Sequence, residues 1–376
     1  MLTKSLEIAS QIPSHGPRKA AIQLVAEFET ALLAHHRDGR PVFGPERDLA
    51  QDYQASPKAV RQALRILESR FLGSVRRGVH GGLALRVPAI EESAELMAIY
   101  LSAIGAGRDE VRGAQDILMP EMAQRPTASL DFVGGILSAL AQTFDRADNH
   151  LPAMGDTRAL VIARRIVADL QARPVPPGGR ARLGTLVELE ETHSSGRPII
   201  LQAIRILEEL EMIEMVPGRG GGIALRQPSP GAVVRALYPH FVLQNLNRET
   251  SRDIIWSINL ATATYAAERR TPKQAYLLRA TLDELQARDF DTADHSGQVL
   301  IWRMLGDVAG NRVLHMLARC IFYFQLQSDA VALERILEPL PDVLLDYTCQ
   351  LARAVCEGDA MAARHAVTLC ESVARS

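Results

Sequence analysis

Basic side chains recur at helical spacing between residues 47 and 65, and cations in this arrangement can contact the phosphates and base edges of DNA. The candidates are Arg47, Lys58, Arg61 and Arg65. Ser56 precedes three of them and is a good helix N-cap, with Pro57 at the first helical position. The 376-residue chain has a net charge of −2, so nucleic-acid binding would depend on where the charges lie and not on their sum.

Other kinds of chemistry find little support in the sequence. There is no Ser-His-Asp order, no HExxH and no P-loop, and we therefore expect no enzymatic activity. The four cysteines lie late in the chain and form no CxxC pair, which argues against a zinc ribbon. We predict that Cys320, Cys349, Cys356 and Cys370 are reduced, buried thiols.

The elements that would position the cations can be predicted from local patterns. A short helix is expected over 45–53, followed by a turn at 54–56 and a helix from residue 57 to about residue 70. Val60, Leu64 and Leu67 form a buried stripe on that second helix, and the cations lie on another face. Strands are predicted over 72–77 and 83–87, and residues 18–36 supply a preceding helix. This order is typical of a winged helix-turn-helix.

The sequence also repeats itself. Residues 62–88 and 202–228 share 13 identities in 27 aligned positions at a constant offset of 140, without a gap. Weaker matches continue upstream, from Gly39 and Gly179 onward. Since the period is a whole domain long, we interpret the repeat as a duplicated domain and not as a solenoid.

Residues 43–82 resemble the DNA-binding domain of GntR-family repressors. The matching positions are Glu46, Arg47, Leu49, Ala50, Ser56, Val60, Arg61, Ala63, Leu64, Leu67, Glu68, Arg77 and Gly78. The resemblance implies DNA contacts from Arg47, Ser56, Lys58, Arg61 and Arg65, and from the wing residues Arg77, Gly78 and His80. Pro57 stands where the family often has a base-contacting Arg, so Lys58 would take over and the operator sequence stays open.

The second copy differs in charge. Residues 44–86 contain eight basic and four acidic residues, net +4, whereas residues 184–226 contain four and seven, net −3. Val187 and Leu201 replace Arg47 and Arg61. An acidic module binds DNA poorly, so we expect a packing or pseudo-dimer role, with Leu201 as a packing contact. An auxiliary half-site role remains open; its candidates are Arg197, Arg219 and Gly220.

The GRGGG loop at 218–222 could also be interpreted as a phosphate cradle. A strand-like segment follows this loop, whereas a phosphate cradle needs a helix N-terminus, so a hairpin wing explains the loop better.

The chain from about residue 230 resembles the helical effector-binding domain of the FadR branch, through Ala309-Gly310-Asn311 and Glu357-Gly358-Asp359. The resemblance implies a metal held by one Asp and three His, but these positions fall on Gln298, Trp302, Thr348 and Cys370. Such residues are poor ligands, so we expect no metal and no cofactor. A site shifted to Asp294 and His295, a metal-free pocket for a small-molecule effector, and a purely scaffolding domain remain alternatives.

The sequence therefore predicts a mainly α fold with two winged helix-turn-helix domains, each followed by a helical bundle segment, the first truncated. The expected segments are a DNA-binding domain at 1–88, a short helical segment and linker at 89–150, a degenerate second copy at 151–228, and a helical domain at 229–376.

These observations favour a transcription regulator whose partner is a double-stranded DNA operator. A homodimer is expected, because family members usually pair two winged domains on two half-sites. A non-enzymatic interaction protein that kept the fold and lost DNA binding is the alternative. The sequence has neither an apolar run long enough to span a bilayer nor a signal-peptide pattern, which predicts a cytoplasmic protein.

Overall fold

The structure, a computed structural model, describes residues 20–38, 42–76, 82–146, 157–173, 182–183, 185–216, 222–226, 228–287, 296–328 and 342–375. Within these ranges the fold is mainly α. None of the helices described there combines the length and apolarity that crossing a membrane requires.

The first part of the chain contains six helices and three strands in the described residues. They are α1 (Ala20–Arg37), β1 (Val42–Gly44), α2 (Glu46–Asp52), α3 (Pro57–Ser69), β2 (Gly73–Arg76), β3 (Gly82–Leu85), α4 (Ile90–Ala103), α5 (Arg108–Met122) and α6 (Thr127–Asp145). The predicted helices and hairpin strands are present with bounds shifted by a few residues. The short strand β1 was not predicted.

The second part repeats this order and then adds further helices. Its elements are α7 (Thr157–Ala172), β4 (Arg182–Leu183), α8 (Leu186–Thr192), α9 (Arg197–Glu209), β5 (Ile213–Val216), β6 (Gly222–Leu225), α10 (Pro230–Leu243), α11 (Arg248–Arg269), α12 (Pro272–Ala287), α13 (Ser296–Ala309), α14 (Arg312–Ser328), α15 (Asp342–Glu357) and α16 (Ala360–Arg375). Seven described helices lie in the helical domain predicted at 229–376. Of the helical segment and linker predicted at 89–150, residues 147–150 lie outside the described residues.

The strands form two small antiparallel sheets of the same topology, β1-β3-β2 and β4-β6-β5. In the first sheet Ser74 pairs with Ala84, and in the second Glu214 pairs with Ala224. Partners in the two sheets are therefore separated by the same 140 residues as the sequence repeat. We call α1 to β3 module 1 and α7 to β6 module 2.

Backbone conformations that L-residues rarely adopt recur at the same spacing. Gln54 and Ser194 have φ of 47° and 48°, and Phe71 and Glu211 have φ of 62° and 55°. A residue other than glycine in the left-handed conformation costs free energy. The recurrence of this conformation in both copies therefore indicates that the surrounding packing imposes the turn. Gln54 and Ser194 lie in the turns between α2 and α3 and between α8 and α9. Phe71 and Glu211 lie just after the ends of α3 and α9.

By packing, the chain divides into two compact units that are not continuous in sequence. The paired-module unit consists of residues 14–107 and 138–246 and contains both modules. The helical unit includes residues 108–137 and 247–376. This division differs from the four consecutive segments predicted at 88, 150 and 228, because helices from the first copy join helices of the second. The four segments stay a prediction about sequence organisation.

In the helical unit, α11 packs against α5, α13, α14 and α16. Two ion pairs join the first-copy segment to the last helix: Arg125 donates to both carboxylate oxygens of Glu371 at 2.7 and 2.9 Å, and Arg364 donates to Glu121 at 2.5 and 3.0 Å. Two-point contacts of this kind are the strong form of charge-assisted hydrogen bond. All four cysteines are free and buried, as predicted.

Candidate nucleic-acid interface

The turn between α2 and α3 is fixed by local hydrogen bonds. The amide of Ala55 donates to the carbonyl of Ala50 at 2.9 Å, and the Ser56 side chain accepts from the amide of Ala59 at 3.2 Å. Ser56 is thus the N-cap of α3 and Pro57 occupies the first helical position, as the sequence predicted. These contacts satisfy amides that would otherwise lack a partner and set where α3 begins.

The inner face of α3 is completely buried. Val60, Leu64 and Leu67 form the predicted stripe and are at most 3% exposed. They pack in one core with residues of α1, among them Phe28, whose ring meets the Tyr53 ring edge to face at a centroid distance of 4.8 Å. Because this face is anchored, the opposite face of α3 is held towards solvent.

Of the predicted cations, Lys58, Arg61 and Arg65 lie on that outer face, and Arg47 lies on α2. Arg47, Ser56, Lys58, Arg61 and Arg65 are all exposed. Arg61 Nη1 lies 3.3 Å from Glu46 Oε1, with 56% and 38% of the two side chains exposed. An ion pair this exposed contributes little, so a phosphate group could replace Glu46 at low cost. The structure brings the helix candidates of module 1 together on one surface.

The candidate wing residues cannot be compared in the same way. Arg77, Gly78 and His80 lie outside the described residues, as do Arg219 and Gly220 of the second copy. The strands on either side are described, and the pairing of Arg76 with Gly82 sets the base of the first hairpin.

Module 2 presents a different surface at the equivalent positions. Val187 is 55% exposed where module 1 has Arg47, and Leu201 is half-buried where module 1 has Arg61. The apolar Leu201 is therefore less exposed than expected for a solvent-facing position. Arg197 is exposed at the start of α9, whose N-cap Gly196 makes no side-chain hydrogen bond.

The start of α8 is stabilised by a capping box. The Thr185 side chain accepts from the amide of Glu188 at 3.4 Å, and the Glu188 carboxylate accepts from the amide of Thr185 at 2.7 Å. Module 1 has Asp48 at the position of Glu188, so the carboxylate itself does not distinguish the modules. The net charges of +4 over residues 44–86 and −3 over residues 184–226 make module 1 the better candidate for DNA contact.

The metal site implied by the family resemblance does not fit the side chains of the helical unit. Gln298 Nε2 donates to Thr348 Oγ1 at 3.5 Å. Burial raises the pKa of the Cys370 thiol to about 11, although a hydrogen bond with the Thr348 side chain lowers this pKa. A protonated thiol, an amide and a hydroxyl bonded to each other make a poor ligand set. In the described ranges no three His, Cys, Asp or Glu residues group to hold a metal; Asp294 and His295 lie outside them.

Sequence reasoning missed a partly buried ion cluster where the two modules meet. Arg70 lies at the C-terminal end of α3 and donates to Glu29 of α1 and Glu209 of α9, both at 2.9 Å. Burial disfavours the Arg70 charge, but the two carboxylates outweigh it and hold the Arg70 pKa above its usual value. The available signal was the repeat itself, because Leu210 stands where the first copy has Arg70.

A second missed residue, His240, is fully buried in α10. Its Nε2 lies 2.8 Å from the carbonyl oxygen of Arg70, and its Nδ1 lies 2.9 Å from Ser93 Oγ. The carbonyl contact requires a proton on Nε2, so Nδ1 accepts from the serine hydroxyl. Burial lowers the pKa of His240 to about 4, and the ring is neutral near pH 7.

Comparison with known proteins gives a match among solved structures. No family model matches the sequence, and a search of curated proteins also finds no match. Among solved structures, Streptococcus agalactiae GntR is similar, with 22% sequence identity and a TM-score of 0.38. The similarity covers 58% of this chain and 100% of that protein.

Proposed function

We propose that this chain is a transcription regulator that binds double-stranded DNA sequence-specifically through module 1, acting as a winged helix-turn-helix. The observation that carries the proposal is the outer face of α3, where Lys58, Arg61 and Arg65 are exposed on a helix whose inner face is anchored and whose N-terminus is capped. A helix fits the major groove of B-DNA, where arginine and lysine recognise guanine edges.

The charge distribution supports this assignment. Phosphate contacts supply much of the affinity for DNA, and residues 44–86 have a net charge of +4 although the whole chain is slightly acidic. Arg47 is exposed on α2, which supports a phosphate contact beside the proposed recognition helix. We extend the proposal to the wing residues Arg77, Gly78 and His80 on their sequence match alone.

The finer family assignment is also part of the proposal. The sequence motifs support a GntR-type regulator of the FadR branch, with a duplicated winged domain whose second copy serves packing more than DNA binding. A repressor role, a small-molecule effector in the helical unit and a cytoplasmic location stay predictions. The homodimer expected from the sequence also stays a prediction, and a single-chain pseudo-dimer is its alternative. We expect no catalytic activity.

An interaction protein without DNA binding is the second candidate. The exposed Val187 in module 2 favours it, since an apolar side chain at that position suits a protein contact. The exposed cations of module 1 have no comparable explanation in a protein that has lost DNA.

Selection of DNA fragments by the purified chain, followed by fluorescence anisotropy on the selected duplex, tests the proposal. Arg47→Ala and Arg61→Ala should each weaken binding by roughly 1–3 kcal/mol, because each removes a charged contact. Arg303→Ala is the matched control: it removes an exposed arginine from the helical unit and should leave the affinity unchanged. Failure to select any sequence, or equal affinities for all variants, would reject this function in favour of the interaction protein.

A further inference from the structure

Module 1 is completed by a helix that follows module 2. Its core cluster contains Leu243, and Tyr238 and Val242 pack against the same cluster, all three from α10. The buried residues of α1 that this helix helps to cover belong to the first copy, some 200 residues earlier in the chain.

Module 2 is completed in the reciprocal way. Helix α4, which follows module 1, packs against α7, the first helix of module 2. Gln171 Nε2 of α7 donates to the carbonyl of Ala103 at 2.5 Å, and the fully buried Glu95 of α4 lies 3.6 Å from the Arg164 guanidinium. Each copy thus lends its connecting helix to the other module.

Equivalent helices also meet each other across this exchange. Helix α4 contacts α10 through Ser93, which lies 2.9 Å from His240 Nδ1 and accepts from Gln244 Nε2 at 3.0 Å. Helix α3 contacts α9, where Arg70 bridges to Glu209. A reciprocal exchange flanked by contacts between equivalent elements is the pattern of an isologous interface, which normally forms between two copies of a protein.

We infer that one chain is a covalent pseudo-dimer and that it binds an asymmetric DNA site as a single chain on a single duplex. The inference rests on the proposed function. The apolar surfaces that a second chain would cover are already buried by α4 and α10. Because Val187 and Leu201 of module 2 stand where module 1 has the exposed Arg47 and Arg61, one half of the site is bound strongly and the other half weakly.

The first test measures mass and stoichiometry. Light scattering with size exclusion should give 41.2 kDa for the full chain, and titration of the selected duplex should saturate at one chain per duplex. Twice that mass together with two chains per duplex would overturn the pseudo-dimer and leave the proposed function intact. A chain that binds no DNA would overturn both.

The second test uses symmetry. A duplex with two inverted copies of the half-site that module 1 protects should bind the first chain only about twofold more tightly than the selected duplex, because two orientations are available. A homodimer that engages both copies would gain on the order of 10²- to 10⁴-fold through effective concentration. A gain of that size would reject the pseudo-dimer.

Discussion

Modules 1 and 2 share element order, strand register and the two unusual turn conformations, yet they differ inside and outside. Inside module 1, the rings of Phe28 and Tyr53 are in contact. Module 2 has the buried His193 at the position of Tyr53, and His193 Nε2 lies 3.5 Å from Asp169 Oδ2. Burial lowers the pKa of His193, while Asp169 opposes this.

Outside, the two modules differ more. Arg47 and Arg61, two of the residues proposed to contact DNA, are replaced by Val187 and Leu201. The comparison teaches that a few buried positions and turns are enough to maintain this backbone, while the exposed face is free to change. Copies bound in one chain need not both keep the surface that binds a partner.

The largest effect is expected where module 1 has Arg70 and module 2 has Leu210. Arg70→Met removes the cation between the partly buried Glu29 and Glu209, which should lower the free energy of unfolding by about 3 kcal/mol. Urea denaturation measures this. Arg65→Met, on the exposed face of the same helix, is the control and should change stability by less than about 0.5 kcal/mol.

A triple variant separates charge burial from loss of packing. Replacing Arg70, Glu29 and Glu209 together by methionine removes all three charges and should recover most of the lost stability. If the triple variant is as unstable as Arg70→Met, packing and not charge accounts for the effect.

The next effect concerns pH and His240. Its folded pKa of about 4 lies below the usual 6.5, so the folded state binds fewer protons between these values and stability falls as the pH drops through that window. Between pH 7.5 and 4.5 the loss from this group should be roughly 2–3 kcal/mol. Urea denaturation at both pH values should show that His240→Gln loses less stability than the wild type. An equal loss in both proteins would assign the pH dependence to other groups.

Restoring charge to module 2 should have a smaller effect. Val187→Arg places a cation where module 1 has Arg47 and should tighten binding to the selected duplex by roughly threefold to tenfold, with a steeper salt dependence. Val343→Arg adds the same charge at an exposed valine of the helical unit and is the control. Equal gains in both variants would indicate a general charge effect and not a recovered DNA surface.

The smallest effect is expected from exchanging the two N-caps. Ser56→Gly should destabilise module 1 and Gly196→Ser should stabilise module 2, each by a few tenths of a kcal/mol, because glycine caps a helix only slightly less well than serine. Thermal unfolding of both variants against wild type measures the shifts. Shifts of the same sign in both would show that the two helix starts differ in more than the cap.

Much of the local structure could be predicted from the sequence, since the cap at Ser56 and the stripe of Val60, Leu64 and Leu67 define a helix and its inner face. The strands β1 and β4 were missed because two or three residues carry too little pattern. The exchange of α4 and α10 was also missed. Periodicity indicates which face of a helix is buried but not which helix covers it, and Leu243 has the same pattern whichever module it joins.

The late position of α10 has a consequence for synthesis. The ribosome releases α1 long before it reaches residue 230, and at about 5–20 residues per second the delay amounts to roughly 10–40 s. During that time the apolar face of α1 lacks one of its covering helices. The nascent N-terminal module is therefore expected to be marginal until the second copy has emerged, so the chain should acquire affinity for DNA late in translation.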